Sequence, residues 1–544
     1  MLPSPPMSVE GTATGRRTGG DLGWPLERAA RMFGSAEAVV DGERSVTYAE
    51  LSHRAGSLGA VLAELAVPTG GRVGFLGVNS LAHVESWLAV PASGRVLVDL
   101  NFRLAVDELA FMVDDSGLEV LIVDRAQLEV ARGLRDRCRS LRELVLDGAG
   151  ECPPDCVLYE DLLSGDPLGP RYPLDLDEHA PAAISYTGGT TGMPKGVVLT
   201  HRNLLANAQH NLIATGHRGS DRWLHVCPMF HVAGTANVLA CTWVGATQVV
   251  LPRFAAAAVV DTIKRERVTH TLLVPTMLAM LLDHLDHEPT ELPSLRHLQY
   301  AASPISADLQ RRALQRFECD VAQFYGMTEA APTVAHCTPE DHRRGFAGEE
   351  PFRSRLASTG APVLGVRCEV RDADGVPVAP GEVGEIWVRG PNVMLGYWNR
   401  REATEAALVD GWYRTGDAAR ADADGYLYVV DRLKDMIISG GENVYSIEVE
   451  RALSQHEAVI EAAVFGIPDP RWGEAVHGVV TVAPGPAAVT ADELIADCRR
   501  RIAGYKVPRS IEIRAEPLPK SGAGKILKNV LREPFWSHRD RHVN

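Results

Sequence analysis

The run SYTGGTTGMPKGVVLTH, Ser185 to His201, sets Thr187, Gly188, Gly189, Thr190, Thr191 and Gly192 ahead of Lys195. Glycines let the backbone approach a ligand closely, hydroxyls donate to oxyanions, and an ammonium meets spread negative charge, a combination that suits a polyphosphate. The Walker A spacing is not met, because Gly196 rather than Ser or Thr follows Lys195. A second run, PKSGAGKIL, misses it too, with Pro519 in place of the first glycine and Ile526 after Lys525. On glycine and lysine alone, a flexible loop explains such a run better than a phosphate site.

Lysine usage adds a second signal. Of 55 basic residues only seven are lysine, namely Lys195, Lys264, Lys434, Lys506, Lys520, Lys525 and Lys528. A chain that uses arginine wherever a generic positive charge suffices marks with lysine the places that need a compact ammonium. Four of the seven fall in the final 39 residues; Lys506, Lys520 and Lys528 are read as surface charges. The nine cysteines are scattered, and the close pair Cys152 and Cys156 has no histidine or second cysteine pair at ligand spacing. A surface loop in a reducing compartment is the expectation there.

The bulk numbers bound the function. At 544 residues, with 45% hydrophobic and 23% charged residues, the composition is that of a globular protein of several domains. A net charge of -15 repels a phosphodiester backbone, so no nucleic-acid partner is expected. Residues 1–20 lack a signal-peptide core and read as a disordered lead-in, no apolar run reaches membrane-helix length, and a cytoplasmic location is expected.

The elements that must position these residues follow from pattern. GRVGFLGVNS, RVLVDL and VLIVD read as buried strands, with helices over SLAHVESWLAVPASG and VDELAFMVDDSG between them. The alternation returns in TQVVLP, VDTIKRERV, THTLLVP and TMLAMLLDHL, which predicts two doubly wound α/β layers. From about residue 356, GVRCEVRD, GEIWVRG and YLYVVDRL predict antiparallel hairpins of a small barrel-like sheet. Residues 435–544 read as a small mobile α+β domain, with EAAVFGIP, HGVVTVAP and IEIRAEPLP as strands and helices between them.

YTGGTTGMPKG resembles the phosphate loop of the adenylate-forming (AMP-binding) enzymes, the superfamily of acyl-CoA synthetases. The resemblance spans nearly the whole chain, because PMFHVAG (228–234), QFYGMTEA (323–330), GEIWVRGPNVMLGYW (384–398), YRTGD (413–417), DRLKDMIISGGENVYSIEVE (431–450) and PKSGAGK (519–525) follow in the family's order. It implies a lead-in over 1–20, an adenylation domain over 21–431, a hinge at 432–434 around Lys434, and a C-terminal domain over 435–544. It implies that Thr187, Gly188, Gly189, Thr190, Thr191 and Lys195 hold the ATP phosphates, that Glu329 binds Mg²⁺, and that Thr328 donates to the α-phosphate. Tyr325 would stack on adenine, Asp417 would accept the ribose hydroxyls with Arg432 beside it, and Ser303, Pro304, Gln323, Phe324, Gly326 and Met327 complete the nucleotide site. Lys525 would bridge the attacking carboxylate and the α-phosphate. After the small domain turns, Ser439, Gly440, Gly441 and Glu442 would line a coenzyme A tunnel.

For the substrate, no carboxylate lies between Met229 and Leu251 to pair an ammonium, which disfavours an α-amino acid. An acyl pocket is expected around His231, Ala233, Gly234, Ala301 and Ala302. The family often has glycines at the last two positions, so their methyl groups would narrow the pocket. The implied activity is ligation of a fatty, alicyclic or aryl carboxylic acid to coenzyme A with release of AMP and pyrophosphate. The alternatives are loading of a carrier protein and a catalytically silent nucleotide-binding scaffold. Peripheral membrane contact is expected only for a long-chain acid, and the chain is expected to be a monomer or homodimer.

Overall fold

Short apolar runs bounded by turn residues form the interior strands of two large sheets in the computed structural model. It describes residues 20–164, 176–187, 194–303, 305–433, 435–439, 442–482, 489–520 and 526–536. Among these residues, one sheet runs Gly396–Tyr397, Lys195–Thr200, Pro181–Thr187, Val96–Leu100, Arg72–Leu76, Val120–Asp124, Glu143–Asp147, Val157–Leu158. Its last six strands are parallel. Lys195–Thr200 instead runs antiparallel to both of its neighbours.

The second sheet runs Ala361–Pro362, Thr333–Cys337, Asp320–Gly326, His297–Ala301, His270–Leu273, Arg222–His225, Thr247–Val250, Glu37–Asp41, Arg44–Thr47. It is parallel from Asp320–Gly326 to Glu37–Asp41 and antiparallel at both ends. Strands buried on both faces read as continuous apolar runs, which is why the sequence pattern finds the parallel interiors.

One continuous core joins the two sheets, with Val39 and Val250 from one and Val73, Phe75 and Leu97 from the other. The helix Leu81–Ala92 lies within it and is buried at every position. Its Glu85 is tolerated because Arg54 donates to it at 3.1 Å and the Tyr159 hydroxyl at 2.9 Å. A buried charge without such partners costs several kcal/mol, about 3–5 when one partner is removed.

A third sheet pairs Arg367–Arg371, Val383–Arg389, Trp412–Ala421 and Leu408–Val409, with Leu427–Arg432 on Trp412–Ala421. The C-terminal sheet orders Glu442–Val444, Ile437–Ser439, Gly473–Val482 and Val459–Asp469, with Ser510–Arg514 parallel to Gly473–Val482. The fold is thus the expected α/β type, a large N-terminal part followed by a smaller C-terminal domain.

Two expectations for that smaller domain need correction. No helix separates EAAVFGIP from HGVVTVAP; Asp469 accepts from the N–H groups of Arg471 and Trp472 at 2.8 and 2.9 Å and closes a tight turn. Nor is Lys528 a surface charge: its side chain, only 17% exposed, pairs with Glu450 at 2.7 Å, whereas exposed Lys520 pairs with Glu461 and half-buried Lys506 with Glu448.

Candidate active site

The strand Asp320–Gly326 carries QFYG to the carboxyl end of the parallel sheet, with Phe324 beside Ala301. In open α/β sheets that edge is where ligands bind. Gln323 accepts a hydrogen bond from the Tyr300 hydroxyl at 3.2 Å, and Phe324 stacks on His336 with ring centroids 4.7 Å apart. Both therefore serve the scaffold of the strand. Tyr325 instead donates its hydroxyl to Asp417 at 2.6 Å.

The turn after this strand is tightly specified. A side chain at Gly326 would place its Cβ 1.8 Å from the Pro332 carbonyl oxygen, so the position admits glycine alone. Met327 N–H donates to that same oxygen at 3.0 Å. The short helix Thr328–Ala330 follows, ending at Ala331 with φ +63°. Asn392, fully buried, donates to the Ala330 and Thr333 carbonyls at 2.8 Å each and holds the turn in place. Thr328 is buried in it.

Glu329 projects from this turn and accepts the Tyr397 hydroxyl at 3.0 Å. Its backbone oxygen accepts from Met394 N–H at 2.8 Å. Tyr397 reaches it because Gly396–Tyr397 pairs with Lys195–Thr200, and the Lys195 ammonium lies over the Tyr397 ring, 5.1 Å from its centroid. Burial pushes the Glu329 carboxyl above its ordinary range, opposed by a backbone hydrogen bond, the Tyr397 hydroxyl and Arg432.

Asp417 sits on Trp412–Ala421 directly across from Arg432, whose Nε is 3.4 Å from Asp417 Oδ1. The YRTGD turn is set by Glu385, which accepts from Gly416 N–H at 2.9 Å and Arg414 Nε at 3.0 Å. Burial and the neighbouring Asp417 hold the Tyr325 phenol well above its usual pKa. Thr187 and Lys195 are cross-strand partners, and the Thr187 hydroxyl donates to the Lys195 carbonyl at 3.4 Å. The described geometry therefore brings Lys195, Glu329, Tyr325, Asp417 and Arg432 into one neighbourhood. Gly188, Gly189, Thr190, Thr191, Pro304, Lys434, Gly440, Gly441 and Lys525 lie outside the described residues.

On the acyl side, His231 is half-buried and precedes the helix Val232–Thr235; its carbonyl accepts from Gly234 N–H at 2.8 Å. A Cβ at Gly234 would lie 2.3 Å from the Pro228 carbonyl oxygen, which explains that glycine. Half-buried Ala233 stands beside a narrow cavity lined by Trp87, Leu204, Asn207, Val232, Thr235, Ala236, Leu239 and Ala331. Trp87 Nε1 donates to buried Asp99 at 2.7 Å, fixing the indole. Ala301 and Ser303 are half-buried, and Ala302 is exposed at φ +74°.

On the small domain, Ser439 is buried on Ile437–Ser439 opposite exposed Glu442. The flanks of PKSGAGK are pinned together by a bridge between Lys520 and Ile526 and by Leu527 N–H donating to the Pro519 carbonyl at 2.8 Å.

Sequence reasoning passed over Tyr397, Asn392, Trp87 and Asn207. Tyr397 and Asn392 stand inside the GEIWVRGPNVMLGYW motif, which is the one signal that pointed to them.

The profile of the AMP-binding enzyme matches residues 26–398, and that of the AMP-binding enzyme C-terminal domain matches 448–525. A feruloyl-CoA synthase from Amycolatopsis sp is 42% identical over 514 residues, 94% of this chain and 98% of that one. A long-chain-fatty-acid–CoA ligase from Thermus thermophilus is 37% identical, covering 94% and 95%. Among solved structures, the o-succinylbenzoate CoA synthetase of Bacillus subtilis, in complex with its acyl-adenylate intermediate, superposes with a TM-score of 0.81. Its identity is 32%, over 93% of this chain and 97% of that one. The chain belongs to the AMP-binding enzyme family and is an ATP-dependent ligase.

Proposed function

We propose that the chain is an acyl-CoA ligase that activates a compact, ring-bearing carboxylic acid in two half-reactions. The observation that carries this reading is the meeting of Lys195, Tyr397 and Glu329 beside Tyr325, Asp417 and Arg432, a cationic and acidic face suited to a nucleoside triphosphate. In the first half-reaction a carboxylate oxygen attacks the α-phosphorus, the bond to the bridging β-phosphate oxygen breaks, and pyrophosphate leaves with the electron pair. Catalysis of such a transfer is mainly positioning and charge neutralisation.

In this reading the loop Thr187 to Lys195 holds the β- and γ-phosphates, Thr328 donates to the α-phosphate, and Lys525 offsets charge as the adenylate forms. Asp417 accepts the ribose hydroxyls, and Arg432 balances it. Gln323, Phe324 and Gly326 shape the strand and turn against which the nucleotide rests. Glu329 supplies a hard oxygen ligand with one side-chain donor among the described residues, which fits Mg²⁺ completing its shell with phosphate oxygens and water. When bound, that ion neutralises phosphate charge.

In the second half-reaction the pantetheine sulfur attacks the acyl carbon, the C–O bond to AMP breaks, AMP leaves as an anion, and the thiol proton passes to solvent. The small domain turns about Lys434 between the two steps so that the segment Ser439 to Glu442 replaces Lys525. One small domain can then serve two reactions at one site.

Trp87, Leu204, Val232 and Leu239, with Ala331 at the end of the TEA turn, line a void of only about 10 Å³, room for one water, so an acyl ring would have to part these walls. Asn207 on the same wall serves the scaffold, its Oδ1 accepting from Thr333 N–H at 3.0 Å and its Nδ2 donating to the Ala236 carbonyl at 3.5 Å. Apart from Asn207 and Thr235 the lining is apolar, which disfavours a charged acyl chain. The ring-bearing class is supported by the 42% identity to a feruloyl-CoA synthase. An acid panel with ATP and coenzyme A, read by mass spectrometry, tests the proposal. Aryl acyl-CoA products are expected; products with long alkyl acids alone would overturn the substrate class, and carrier-protein adducts alone the acceptor.

A further inference from the structure

Asp431 lies on Leu427–Arg432, a strand of the third sheet, yet its carboxylate serves the small domain. It is almost completely buried and accepts both the N–H and the hydroxyl of Ser446, the latter at 3.0 Å. Ser446 opens the helix Ser446–Leu453 and is itself fully buried. Asp431 thus caps a helix from across the expected hinge, a favourable place for an anion at a helix N-terminus.

The network continues. Lys528 Nζ donates to the Ser446 hydroxyl at 2.6 Å and pairs with Glu450 at 2.7 Å. Glu450 also accepts from Val464 N–H at 2.8 Å, on the strand Val459–Asp469. One large-domain carboxylate is therefore wired through a hydroxyl and an ammonium to two helices and a strand of the small domain. Lys528 begins the helix Lys528–Trp536, three residues beyond Lys525 in the chain. A buried polar network in which each member is satisfied specifies a single arrangement, and breaking one member exposes the rest to desolvation.

We propose that Asp431, Ser446, Lys528 and Glu450 form an interdomain latch that favours the arrangement seen here and so sets how the two half-reactions share the enzyme's time. Lys528 and Asp431 are positioning residues: they touch no reacting atom. The kinetic consequence rests on the two-half-reaction reading, whereas the conformational one does not.

Pulsed electron resonance between one label on the large domain and one on the small domain tests the latch without reference to catalysis. The full-length protein is compared with Asp431→Asn, which keeps an acceptor for Ser446, with Lys528→Met and with Lys528→Arg. The latch predicts a dominant distance in the parent protein, a second population in the Asn and Met variants, and its disappearance with Arg. An unchanged distribution in both the Asn and Met variants would overturn it. Pyrophosphate release and thioester formation from supplied acyl adenylate are then measured on the same samples. The ratio of their rates should change by about tenfold, since removing a latch shifts a two-state population by its coupling energy. Equal slowing of both would also overturn the latch. A parent protein with neither half-reaction, but with the predicted distance shifts, would overturn the ligase reading and support the latch.

Discussion

Two carboxylates, half-buried Glu329 and fully buried Asp431, are built in opposite ways. Burial pushes both carboxyl groups up. Glu329 has one side-chain donor among the described residues, Tyr397 of the large domain. Asp431 is surrounded by donors, and two of its hydrogen bonds come from Ser446 of the small domain. A carboxylate left with spare acceptor capacity is ready for an incoming cation; one already saturated is a joint. With the roles proposed above, the contrast separates the part of the molecule that does chemistry from the part that decides when.

The largest break in that contrast is expected from Lys525→Ala. Adenylation should fall by about 10²–10³-fold, the usual effect of removing one charge-stabilising group. Thioester formation from supplied acyl adenylate should survive; equal loss of both, measured on the same preparation, would contradict separate roles. Glu329→Gln should lower pyrophosphate release by about 10²-fold with its fold intact, because the replaced group is a ligand rather than a joint. Circular dichroism and thermal melting beside the kinetics check both halves of that statement.

Next comes Lys434→Pro, which stiffens the expected hinge and should slow thioester formation about tenfold more than adenylation. Tyr397→Phe should have a smaller and pH-dependent effect. Burial raises the Glu329 pKa and the Tyr397 hydroxyl lowers it, so removing the hydroxyl raises it further. Glu329 must be ionised to bind a cation, so activity is lost as pH falls through its pKa. The acidic limb of the pH–rate profile should therefore move to higher pH, with activity above it nearly unchanged. A shift to lower pH would contradict the assignment. The smallest effect belongs to Lys506→Met, whose partner Glu448 lies on the same domain; melting should register a loss below about 1 kcal/mol, and the half-reaction ratio should hold.

The parallel interiors were legible because a strand buried on both faces must be apolar throughout, as in RVLVDL and THTLLVP. The antiparallel edges were not, since Lys195–Thr200 and Gly396–Tyr397 pair across about two hundred residues and no local pattern encodes such a partner. For the same reason the motifs predicted which segments meet at the site but not that Tyr397 would reach Glu329. The depth of Lys528 was illegible in a different way. A lysine reads as surface unless paired, and its partners Ser446 and Glu450 lie some eighty residues upstream. The tight turn after Asp469 was missed because its Asp-Pro-Arg-Trp-Gly sequence looks as ready to open a helix as to reverse a strand.

The central claim is that this enzyme converts an organic acid and ATP into an acyl adenylate before any thiol is involved. Purified protein given ATP, magnesium and a library of carboxylic acids, without coenzyme A, tests it most directly by phosphorus NMR and mass spectrometry. Pyrophosphate and an enzyme-bound acyl-AMP in matching amounts are expected for at least one aryl acid. Formation of ADP and orthophosphate in their place, or ATP binding with no pyrophosphate from any acid, would contradict the account.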